Sequence, residues 1–149
     1  MSRDLRFRDA RPHVGGGHYA AIPAHLEVGP PTLTGKARTT ARAIAQDLLR
    51  LDGLLRRSRP AVPRRARGDL NLWASEVRDI ARILRRHAGL SERLPRPYGA
   101  GELDPADALF AARDLARSTA SRIDALVEDV TPAVRIFCRI AARTVREGA

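Results

Sequence analysis

The stretch DPADALFAARDLARSTASRIDALVEDVTPAVRIFCRIAARTVRE, residues 104–147, decides the fold class within its first four residues. Asp104 is placed to cap a helix, because a carboxylate accepts the backbone N–H groups that a helix start leaves unpaired. Pro105 follows at the first helical position, where a missing N–H costs nothing. Asp107 puts negative charge against the positive end of the helix dipole. Behind these signals Ala108, Ala112, Leu115, Thr119, Ile123 and Leu126 recur at spacings of three and four, one face of a helix. Thr131 and Pro132 then repeat the opening. In the segment they start, Arg135, Arg139, Arg143 and Arg146 form one stripe and nearly everything else is apolar. Such a helix is expected to bury most of its circumference, with Val134, Phe137 and Ile140 in a core or an interface between copies.

Working back toward the N-terminus, two more helices have the same character. Ile44, Leu48, Leu51 and Leu55 lie at spacings of 4, 3 and 4, with Gly53 among them, and Pro60 and Pro63 end the run. Trp73, Val77, Ile80 and Leu84 repeat that spacing, with Asp69 expected as N-cap and Gly89 as the left-handed closing residue. Trp73 is expected in the core or at an interface. Residues 1–33 read differently. They are rich in Gly, Pro and His, and Ile22, Ala24, Leu26 and Val28 alternate with Pro23, His25 and Glu27. That period of two predicts an extended arm able to form a short edge strand, since Pro23 lacks a ladder donor.

The expected fold is therefore all-α: a single-domain antiparallel four-helix bundle over residues 34–149, with helices near 34–57, 69–88, 104–128 and 131–147, and the arm over 1–33. A chain of 149 residues is long enough to bury a core. Aromatics are only 4% of it, so that core must come from Leu, Ile, Val and Ala, a mixture that favours helices. A single cysteine, Cys138, excludes an internal disulfide and fits a reducing, cytoplasmic setting. The opening MSRDLRFRDARP has no apolar stretch that would serve as a secretory signal, and no window is long and apolar enough for a transmembrane segment.

Net charge is +10, carried by 26 Arg and one Lys. A skew toward Arg and Ala is what a GC-rich codon usage writes, so the total alone says little. Its distribution says more. Residues 35–68 hold ten basic and two acidic groups, net +8, while residues 96–130 hold four and seven, net −3. Codon usage does not produce that asymmetry. Six arginines fall between Arg56 and Arg67. Guanidinium groups match phosphate oxygens with a planar fork, and each phosphate neutralised releases counterions. The candidate phosphate contacts are Lys36, Arg38, Arg42, Arg56, Arg57, Arg59, Arg64, Arg65 and Arg67. The bland alternative is a solvated connection between two helices. No aromatic interleaves with the arginines, so base stacking is not expected.

Other chemistry finds little support. GPPTLTGKART, residues 29–39, fails as a phosphate-binding loop, because five residues rather than four separate its glycines and Ala37 stands where a magnesium-binding hydroxyl belongs. His13, His18, His25 and His87 show no metal-ligand spacing, so no metal and no cofactor are expected. Cys138 reads as a small buried hydrophobe rather than a nucleophile. Glu76 and Asp79 read as parts of a solvated face, and Asp114 and Arg117 as an i, i+3 pair. With no acid–base or nucleophile constellation, the chain reads as a non-enzymatic accessory or adaptor protein. It is expected to act through protein contacts and to self-associate as a homo-oligomer. Sequence-independent binding of a nucleic-acid backbone through residues 36–67 is the alternative.

Overall fold

The computed structural model describes residues 33–96 and 102–148. The described part is all-α, with four helices and no strand. Helix α1 spans Gly35–Ser58, α2 Arg67–His87, α3 Pro105–Leu126 and α4 Pro132–Gly148. Three short 3-10 turns, Arg59–Ala61, Arg64–Ala66 and Val127–Asp129, lie at the connections. In the resulting helical bundle α1 packs mainly on α2 and α3, and α4 mainly on α3 and α2. The arm's strand, expected from residues 22–28, lies outside the described residues. Leu33, assigned to the arm from sequence, belongs to the bundle: it is buried, and its N–H donates to the His87 carbonyl at 3.1 Å.

Each apolar stripe meets the others in one core. Ile44, Leu48, Leu51 and Leu55 of α1 are all within 1% of complete burial, and so are Val77, Ile80 and Leu84 of α2. On α3 the stripe is mostly alanine, and Ala108, Ala112, Ala116 and Ala120 are fully buried. Alanine at those positions lets neighbouring helices approach closely and leaves the bulk of the filling to Leu, Ile and Phe side chains. Val134 and Phe137 of α4 are buried as expected, whereas Ile140 is only partly covered and Ile136 is 52% exposed.

Start and stop signals work unevenly. The Asp104 carboxylate accepts from the Ala106 N–H at 3.1 Å, with Pro105 next, as the sequence requires. Gly89 takes φ +75° just beyond α2, the left-handed conformation that a Cβ disfavours. Asp69 is not an N-cap. The Arg64–Ala66 turn runs directly into α2, so the helix begins at Arg67 and Asp69 falls in its first turn, exposed. There it still opposes the helix dipole.

The last turn of α4 rests on Trp73, the only tryptophan. A Cβ added at Gly148 would lie 1.9 Å from the indole ring, so no larger residue fits without moving one of the two elements. Gly148→Val is expected to push the helix end off the ring, at a cost of about 1 kcal/mol or more. Tryptophan emission should then shift to longer wavelength as water reaches Trp73, which is 3% exposed in the native chain. An unchanged emission maximum would contradict the contact.

Candidate anion-binding surface

The six arginines do not all lie in a loop: Arg56 and Arg57 end α1, Arg67 starts α2, and Arg59, Arg64 and Arg65 lie on a connection with its own backbone bonds and one core side chain. α1 stops where Pro60 has no N–H to offer, and the Ser58 hydroxyl, buried, donates to the Leu55 carbonyl at 2.9 Å. The chain then turns twice, through N–H bonds from Val62 to Arg59 and from Ala66 to Pro63. Between the turns Val62 drops into the core.

Three of the arginines hold this arrangement together. Arg56 Nε donates to Asp52 Oδ1 at 3.2 Å, Arg57 Nε to the Leu103 carbonyl at 2.6 Å, and Arg67 Nε to the Val62 carbonyl at 3.1 Å. Arg59, Arg64 and Arg65 are exposed and have no partner among the described residues. Of the candidates upstream, Lys36, Arg38 and Arg42 are exposed too, but near the opposite end of α1. At a rise of 1.5 Å per residue, Lys36 and Arg56 are about 30 Å apart along the helix axis. The basic region of the sequence is thus two clusters, and the six-arginine corner is one of them.

Beside that corner a cleft of about 530 Å³ opens between α1 and α2, lined among others by Asp52, Arg56, Arg59, Asn71, Ser75 and Arg78. Asp52 is the residue that sequence reading missed. It is completely buried, and its two carboxylate oxygens bridge the helices: Oδ1 takes Arg56 and Oδ2 takes Arg78 Nη1 at 2.8 Å. The Arg56 and Arg78 side chains are 60% and 33% exposed. Asp52→Ala would leave both guanidiniums unpaired and unlink α1 from α2. Since the arginines reach solvent, the expected cost is about 2 kcal/mol, below that of a fully buried pair. A urea midpoint equal to wild type would show that the bridge carries no stability.

The remaining candidates resolve as follows. Glu76 and Asp79 are not on a solvated face: they are 1% and 7% exposed on the inner side of α2, and Asp79 pairs with Arg82. Asp114 and Arg117 line a groove with Arg50 rather than pairing with each other. Of the helix-four stripe, Arg135 turns to the Val127 and Val130 carbonyls and Arg146 pairs with Asp124, which leaves Arg139 and Arg143 exposed. His87 is buried, its ring centroid 6.0 Å from that of Phe137. His13, His18 and His25 lie outside the described residues.

Cys138 is fully enclosed on α4, and burial, with the charge of Asp124 adding to it, pushes the thiol up to about 12 from 9.0. A thiol with so little thiolate at neutral pH is a poor nucleophile. It should resist a thiol reagent in the native chain and react fully in denaturant; fast native reaction would contradict its burial. The unfolded chain loses this proton first. The thiol's contribution to stability is therefore complete below pH 9 and lost as pH rises toward 12.

No helix among the described residues is long and apolar enough to cross a membrane. Comparison with protein-family models, curated proteins and solved structures gives no match.

Proposed function

We propose that this chain is a non-enzymatic helical accessory protein of the cytoplasm whose α1–α2 corner binds the phosphate backbone of a nucleic acid without reading bases. The observation that carries the reading is the division of labour among the six arginines. Arg57 and Arg67 are held by backbone carbonyls and Arg56 is held through one N–H by Asp52, while Arg59, Arg64 and Arg65 stand exposed on a connection braced by Val62 and its turns. A braced loop presents cations at lower entropic cost than a floppy one. The antiparallel order of the helices belongs to the same reading, since it places both ends of the connection at one corner. Lys36, Arg38 and Arg42 are too distant to share that contact.

A protein partner or a second copy of the chain is the second reading. Its motives in the sequence are the apolar circumference of α4 and the strand-like arm; the arm's strand lies outside the described residues, and Val134, Phe137, Cys138, Ala141, Ala142 and Val145 are covered by the chain itself. What favours it is Phe110 on α3, 76% exposed.

The two readings separate in one titration. Labelled duplexes of two unrelated sequences, followed by fluorescence anisotropy at about 50 mM salt, should bind with affinities within a few-fold of each other. No binding at that salt would end the backbone reading. A strong preference for one sequence would contradict the absence of base contacts.

A further inference from the structure

Resting on the reading of the corner as phosphate-binding, we propose that the α1–α2 cleft is a socket for one phosphate group, and that the buried Asp52 is its positioning residue. Asp52 occupies one N–H of Arg56 and one of Arg78. A guanidinium has five. Each therefore keeps four donors while being held from behind by a carboxylate that is itself completely buried. Arg59, exposed and without a partner among the described residues, completes a third side, and Asn71 and Ser75 add neutral polar groups from α2. Three guanidiniums against one carboxylate leave a charge of +2 in a concave site. That matches a phosphate dianion, which offers several oxygens to several forks; a carboxylate offers two oxygens and one charge. Arg78 lies on α2, eleven residues beyond the arginine run, so the socket is made by the fold and not by the run itself.

The phosphate could come from a nucleic-acid backbone or from a free phosphate compound, and one set of measurements tells them apart. The full chain, labelled with 15N, is titrated with inorganic phosphate, with acetate at equal ionic strength, and with a short DNA duplex, while the arginine Nε–H resonances are followed. Phosphate should move the signals of Arg56, Arg59 and Arg78, and acetate should not. Arg59→Gln and Arg78→Gln should each weaken phosphate binding about tenfold, the loss of one charge-assisted contact. Arg64→Gln should leave it unchanged. Arg78→Gln also breaks the Asp52 bridge and so weakens the fold; Arg59→Gln touches no partner among the described residues and keeps the test intact. Equal responses to phosphate and acetate, or wild-type phosphate affinity in Arg59→Gln, would overturn the socket. Phosphate binding without duplex binding would keep the socket, as a site for a free phosphate compound, and remove the backbone reading. Duplex binding with no phosphate response at Arg59 or Arg78 would do the reverse.

Discussion

Phe137→Ala should cost about 3–5 kcal/mol, more than the loss of the Asp52 bridge. Phe137 is the largest of the fully buried side chains, fixed on α4 where that helix meets α2 and α3. Truncation removes the transfer energy of a whole ring and leaves a cavity in the core that the surrounding structure closes only in part. Set against a typical total of about 5–15 kcal/mol, such a loss brings the protein near its unfolding threshold. Ile136→Ala, one residue away but 52% exposed, is the matched control and should cost about 0.5 kcal/mol or less. Urea denaturation of both variants checks the pair. A loss under about 1 kcal/mol for Phe137→Ala, or equal losses for the two, would contradict the burial of α4.

How far the sequence could be read differs from element to element, for physical reasons. Helix bodies were legible because a repeat of 4, 3 and 4 has one geometric meaning, and the stripes of α1 and α2 are buried as that meaning requires. The start of α3 was legible because Asp104, Pro105 and Asp107 act within one turn of backbone. The start of α2 was not. Asp69 has the chemistry of a cap, but a 3-10 turn formed by Arg64–Ala66 delivers the chain to the helix two residues earlier, and nothing local in Arg-Arg-Ala announces it.

Charged residues misled most at the inner faces. Glu76 follows Trp73 by three and precedes Ile80 by four, and Asp52 follows Leu48 by four and precedes Leu55 by three. Both therefore sit on buried stripes, and periodicity held that signal. It was overridden by the usual exposure of acids, which fails when a neighbour supplies a counter-charge, as Arg78 does for Asp52. The arginine run could not be divided from sequence at all. Whether an arginine braces a carbonyl or faces solvent depends on partners such as Leu103, 46 residues from Arg57 in the chain.

Whether Arg59, Arg64 and Arg65 meet phosphates, as proposed, is read from the salt dependence of duplex binding. With three phosphate contacts the observed affinity should fall roughly 40-fold between about 50 and 200 mM salt, since each contact contributes a log–log slope near −0.9. The variant with all three arginines changed to Gln should keep the far-UV circular dichroism of the wild type, because none of the three has a structural partner among the described residues. Its slope should flatten by roughly 2.7, about 0.9 for each lost contact. A triple variant that binds with the wild-type slope would contradict the claim and leave the run as a braced connection between two helices.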